Sequence, residues 1–395
     1  MKICAVICEY NPFHFGHAYQ LSELKQQNAV VAVMSGSFTQ RGDAAVLSKY
    51  DRAEIAVRSG ADLVLELPFP YSSASAEVFG RAGVRIADAL SCVDMLCFGS
   101  ETGDTAALLT LSERLRTEPF QSALADYLLK NKKCAYRTSV AEVYRLCYGE
   151  VFPQSGSNDI LSLSYLSALK DLDSAIVPLA LMRKGEQYNG GGGGFASATT
   201  VRAHIMERDW NFVSRNTPEV TANMLFAAAE KGRLADSEKL YPLFASLVRT
   251  RGESVFEDIY DISDELASRL CTVGAKAKNA EEFLKLAVSR NDSPSRVRRA
   301  VLSTLMNVKK EDVKEVPYTS VLAANETGRK ILSAIRKKSE IPIITKPADA
   351  KQYGDSVARA AKLCACADGV WELLCDLPRE GNAMMKEKPR MLSCM

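Results

Sequence analysis

Two of the chain's three histidines fall in one short string, Glu9-Tyr10-Asn11-Pro12-Phe13-His14-Phe15-Gly16-His17. Imidazoles three residues apart can both donate to phosphate oxygens, a glycine between them lets a ligand approach the backbone, and free amides at a helix start attract anions. That chemistry suits a polyphosphate. The plainer alternative makes one histidine a helix cap and the other a satisfied core residue. Zinc fits poorly, because two histidines without a third or a nearby cysteine are an incomplete ligand set, so no metal ligands are assigned. Ser197 to Arg202 is a second anion candidate: a serine at a helix start leaves amide donors nearby, and Arg202 lies one turn onward. Its plain counterpart is an N-cap with a surface arginine. Gln40-Arg41-Gly42 and Lys49 follow the second apolar run, which places Arg41 or Lys49 near a carboxylate or pyrophosphate. Otherwise Lys49 and Arg52 form an exposed helix face with Asp51 and Glu54. Glu66 could bind Mg²⁺ or ribose, or pair with Arg41. Cys364 and Cys366 lack a second pair at metal-site spacing.

The elements around these residues predict an α/β fold. Ile3 to Cys8, Ala29 to Met34, Asp62 to Leu67 and Met95 to Phe98 are short apolar runs. They alternate with helical patterns over Gly16 to Gln27, Lys49 to Arg58 and Ala76 to Ala89. This alternation predicts βαβ units and a parallel sheet covered on both faces. A strand at Ala175 to Leu181 is expected to rejoin the sheet, and a helix begins near Ser197. The histidine string then opens the first helix directly after the first strand, where open α/β sheets bind ligands. The glycine run 190–194 reads as a mobile loop, a candidate lid over nucleotide. After about residue 217 the patterns are helical almost throughout, apart from an extended piece at Ile341 to Thr345. The expected organisation is a Rossmann-like domain over 1–210 and a mainly α-helical one over 211–395. Met384, Met385, Met391 and Met395 read as a poorly ordered terminus.

With 47% hydrophobic and 25% charged residues over 395 positions, the chain can bury substantial cores, which excludes disordered, collagen and coiled-coil classes. Its formal charge of +2 rules out a global attraction to nucleic acid or membrane, so any such surface is local. One local excess exists: Lys285 to Lys338 holds 13 basic and 5 acidic residues, while the rest of the chain is net acidic. Arg296, Arg298 and Arg299, with Arg336, Lys337 and Lys338, are the candidate contacts to RNA phosphates. Eleven unevenly spaced cysteines among apolar neighbours read as reduced thiols of a cytoplasmic protein, and no run is long enough to span a membrane. No obligate protein partner is implied.

The histidine string and five further blocks together resemble the tRNA(Met) cytidine acetate ligase family. The blocks are Met34 to Gly42, Asp62 to Pro68, Phe98 to Glu101, Ser157 to Leu161 and Ala196 to Arg202. That family lies in the nucleotidyltransferase superfamily that shares its nucleotide-binding turn with class I aminoacyl-tRNA synthetases. The resemblance implies an enzyme that uses ATP and Mg²⁺ to activate acetate as acetyl-adenylate, then acetylates the wobble cytidine of elongator tRNA(Met). It also implies nucleotide contacts at Ile7, Glu9, Tyr10, Asn11, Pro12, Phe13 and Gly16, then at Gly99, Asn158 and Arg183. Strings like Ser197 to Arg202 hold outer phosphates in related enzymes. Two alternatives stand beside this reading: an adenylyltransferase acting on a small phosphorylated molecule, and a non-catalytic RNA-binding protein regulated by nucleotide.

Overall fold

Along β1 (Lys2–Cys8) successive side chains enter opposite cores: Cys4, Val6 and Cys8 pack on one face of the sheet, Ala5 and Ile7 on the other. β2 (Asn28–Ser35) and β3 (Leu63–Leu67) divide their residues in the same way. Because both faces are covered, these strands are continuous apolar runs rather than alternating ones. The structure is a computed structural model that describes residues 2–131, 134, 136–153, 156–183, 195–381 and 383–393. β4 (Met95–Ser100), β5 (Val177–Met182), β6 (Thr319–Ala324), β7 (Ile343–Ile344) and β8 (Arg390–Met391) complete the sheet. Its order is β5-β4-β1-β2-β3-β6-β7, with β8 against β6.

β1 to β5 are parallel, and β6 runs antiparallel to β3. From β1 the chain builds outward through β2 and β3, then crosses back to place β4 on the other side of β1. The strand order therefore reverses between β1 and β4, and a crevice opens beyond their carboxyl ends. Three helices make the crossovers: α1 (Phe15–Lys25), α2 (Lys49–Arg58) and α3 (Ala76–Ala89). α1 and α2 cover one face and α3 the other. Ser48 and Ser75 cap α2 and α3 by accepting from the Asp51 and Val78 amides, and both helices span the residues that the sequence pattern predicts.

The second half departs from expectation in two places. The chain past residue 210 is mainly helical, with its own core around Phe244, Leu266, Leu270, Phe283 and Val297. Yet β6 comes from this half and inserts against β3, so 211–395 shares its sheet and its largest core with the first 210 residues. The described part of the methionine-rich tail, residues 383–393, also packs onto the fold. Met384 is fully buried, its sulfur 3.9 Å from Ser37 Oγ, and Met391 lies in β8. The glycine run and Met395 lie outside the described residues. Among the described residues no helix is long and apolar enough to cross a membrane.

Candidate active site

β1 ends at Cys8, and the following turn carries the histidines to the carboxyl edge of the sheet. Tyr10 takes a positive φ of 47°. The fully buried Tyr10 and Phe13 rings bed the His17 imidazole, at centroid distances of 5.0 and 5.6 Å. His14 is the N-cap of α1, and both imidazoles accept from backbone amides of the turn. His14 Nδ1 accepts from the Gly16 amide at 3.0 Å, and His17 Nδ1 accepts from the His14 amide at 3.3 Å. A Cβ at Gly16 would lie 2.8 Å from His14 Cε1, so a glycine there lets the ring fold back over the first turn. With both Nδ1 atoms accepting, each ring carries its proton on Nε2. The cap thus fixes the tautomer and leaves Nε2–H as the donor.

Burial, reinforced by Arg183 and Arg202, pushes the His14 imidazole down to about 4. Burial, His14 and Arg183 hold His17 well below its ordinary range. Both rings are neutral at pH 7. The unfolded chain gains protons near the ordinary imidazole pKa of about 6.5, while the native rings resist until lower pH. Stability is therefore complete above about pH 6.5 and falls as the pH drops towards 4, by on the order of 3 kcal/mol for His14. Urea midpoints measured from about pH 7.5 to 4.5 should decline in the wild type and decline less in His14→Asn, which retains a capping acceptor. Equal slopes would contradict this assignment.

Around this turn the structure gathers charge. The 198–206 helix (Ala198–Met206) is capped by Ser197, which accepts from the Thr200 amide at 3.1 Å. From it Arg202 reaches back to the Asn11 carbonyl at 2.7 Å and to Thr199 Oγ1 at 3.1 Å. Arg202 lies among Asp43, Glu9, Arg41 and Arg298. Glu9 Oε1 accepts from the Gln40 amide at 2.6 Å, which pins the exposed Arg41 segment to the histidine turn. Gly99 closes the other side of the crevice near the end of β4, where a Cβ would meet the Arg183 side chain at 3.1 Å. His14, His17, Gly99, Arg183 and Arg202 therefore converge where the strand order reverses, with Arg41 on the rim.

Other expected contacts are placed differently. The Ile7, Tyr10 and Phe13 side chains are core residues, and Pro12 is buried in the turn. The Asn11 side chain is spent internally, donating to the Ala44 carbonyl at 3.3 Å and accepting from the Val46 amide at 2.8 Å. These residues shape the turn and offer a ligand only its backbone. Lys49 lies furthest from its expected place. It is buried and paired with Glu66 at 2.8 Å and Asp368 at 2.7 Å, not on the open rim. Burial works against its charge, but Asp368, Cys364 and Glu66 outweigh it and keep the ammonium protonated. Glu66 consequently pairs with Lys49 rather than Arg41. Arg52 is fully buried too, with its guanidinium on the Leu47, Glu9, Ser35 and Gly36 carbonyls, so no exposed Lys49–Arg52 face exists.

The basic candidates divide. Arg299 is largely buried beside Asp261, and Arg296 pairs with Asp292 at 3.1 Å and Asp261 at 3.4 Å, so both hold the helical lobe together. Arg298 sits at the mouth, 3.3 Å from Asp43. Arg336, Lys337 and Lys338 are exposed, but they follow the helix Glu326–Ile335 beside the α3–β4 connection, at the opposite end of the sheet from the histidines. Among the described residues, the grouping able to converge on a metal is Glu66, Cys364 and Asp368. Its donors are buried and its charge is already met by Lys49, which does not fit the open, water-rich octahedron that Mg²⁺ prefers.

A profile of the HIGH Nucleotidyl Transferase family matches residues 1–383. The chain belongs to the HIGH nucleotidyl transferase family. Within the family, the chain is 36% identical over 364 residues to a protein of Thermoanaerobacter sp. (strain X514) named tRNA(Met) cytidine acetate ligase, covering 89% of this chain and 90% of that one. A protein of the same name from Acetivibrio thermocellus is 34% identical over 380 residues, covering 91% of each. The fold superposes on Thermotoga maritima TmcAL bound with alpha-thio ATP, with a TM-score of 0.91 and 29% identity over 100% of both chains.

Proposed function

We propose that this HIGH nucleotidyl transferase is an ATP-dependent tRNA(Met) cytidine acetate ligase. One observation carries the reading: two neutral imidazoles with their Nε2–H groups left to donate, at a capped helix start, face Arg183 across the β1/β4 crevice. Triphosphate lies along this turn with adenine beyond Gly99. An acetate oxygen attacks the α-phosphorus in line, the bond to the bridging oxygen breaks, and pyrophosphate leaves with acetyl-adenylate behind. No side-chain nucleophile is required. His14, His17 and Arg183 position the triphosphate and stabilise the charge on the leaving group. Mg²⁺ would accompany the nucleotide and offset the charge on its phosphates, and the buried Glu66, Cys364 and Asp368 grouping would not be its site. In the second step the cytidine amine attacks the acetyl carbonyl, AMP departs and the amine loses a proton.

That amine is paired in a duplex and free in an anticodon loop, so a single-stranded loop is the natural substrate. Arg298 and Arg41 at the mouth suit the loop, and Arg336, Lys337 and Lys338 suit a more distant part of the same RNA. Reversing the charge of the last three should weaken tRNA binding and flatten its salt dependence while leaving ATP binding unchanged. Salt dependence equal to wild type would remove them from the interface. The function itself is tested by mass analysis of bulk tRNA after incubation with ATP, Mg²⁺ and labelled acetate. Acetylated cytidine in tRNA(Met) is the expected product. An adenylylated small molecule, or binding without turnover, would overturn the reading.

A further inference from the structure

Glu101 stands just past the end of β4, two residues beyond Gly99, and its carboxylate fills the amino end of the helix Ser157–Asp171. Oε1 accepts from the Asn158 amide at 3.2 Å and from Asn158 Nδ2 at 2.7 Å, and Oε2 accepts from the Asp159 amide at 2.9 Å. The fit is close enough that a Cβ at Gly156 would collide with the Glu101 carboxylate. In return Asp159 Oδ1 accepts from Ser100 Oγ at 2.7 Å and from the Glu101 amide at 3.2 Å, which locks the end of β4 to the helix start. Partial burial works against the charge of Glu101, but the bonds donated by Asn158 and Asp159 outweigh it and hold the carboxyl below its ordinary range.

An ionised carboxylate only accepts hydrogen bonds. The group that Asn158 turns toward Glu101 must therefore be its NH₂, which leaves Oδ1 facing the other way. Among the described residues no donor meets that oxygen. We infer that Glu101 is a positioning residue for base selection: it fixes the Asn158 amide so that an acceptor faces the 6-position of the purine. Adenine places an amine there and satisfies it, whereas a 6-oxopurine sets one acceptor against another. Without Glu101 the amide can turn over and offer its NH₂ to the oxo group instead. The inference rests on the nucleotide reading of the Gly99–Arg183 crevice.

The test compares kcat/KM for ATP and for inosine triphosphate in acetate-dependent pyrophosphate exchange. Glu101→Ala should lower the ATP preference by about 10- to 100-fold, the range expected when a polar group covered by the bound base is left without a partner. Glu101→Asp, which keeps the charge but withdraws it by one methylene, should lose the preference similarly, so the result does not depend on one variant folding. Glu101→Ala/Asn158→Asp should regain it, because a carboxylate at 158 accepts whichever way it turns, and a purely structural role for Glu101 would show no such rescue. Wild-type preference in both single variants would overturn the inference and leave the ATP site standing, as would loss without rescue. Wild-type protein that does not bind ATP would instead overturn the underlying reading.

Discussion

His17→Ala should reduce acetate-dependent exchange between pyrophosphate and ATP by about 10²- to 10³-fold, the cost of deleting one preorganised donor to a developing charge. The side chain has two duties, closing the cap of α1 through Nδ1 and presenting Nε2–H to the triphosphate. Loss of the cap alone costs only about 1 kcal/mol of stability. His17→Gln separates the duties, since glutamine at this position of a capping box can accept from the cap amide. It should therefore melt close to wild type and still exchange slowly. Exchange within twofold of wild type in His17→Ala would remove His17 from the chemistry.

Lys49→Met should destabilise the fold by about 3–5 kcal/mol, because it strands Glu66 and Asp368 as buried carboxylates without their cation. The same lysine read as a rim residue predicts the reverse, an unchanged fold with exchange down by orders of magnitude. Urea unfolding and exchange rates on the same preparation decide between the two. Lys49→Met combined with Glu66→Gln and Asp368→Asn should recover much of the stability, since no unpaired charge is then left inside. A stable, inactive single variant would restore Lys49 to the ligand site.

These two residues also mark what the sequence can disclose. The histidine turn was legible because its signals are local: an apolar run followed within nine residues by a glycine and two imidazoles, closed by contacts inside the same turn. The Lys49 pairing was not, because Asp368 lies 319 residues onward and joins through the packing of a distant helix. Arg52 escaped for a related reason: its partners are main-chain carbonyls, which leave no mark in residue types. β1 to β4 and their helices were readable from continuous apolar runs alternating with helical patterns. β6 was not, because Thr319-Ser320-Val321-Leu322-Ala323-Ala324 is a short apolar run between helical stretches, which periodicity alone cannot assign to strand or helix. Glu101 lay within a recognised block, yet its task depends on a helix start that arrives more than fifty residues later.

A crystal structure with a non-hydrolysable ATP analogue tests the central claim most directly. Triphosphate density along the His14–His17 turn, with Nε2 of either ring and the Arg183 guanidinium within hydrogen-bond reach and the α-phosphorus open to a carboxylate, is the predicted result. An analogue seated elsewhere, with that turn unchanged and empty, would contradict it.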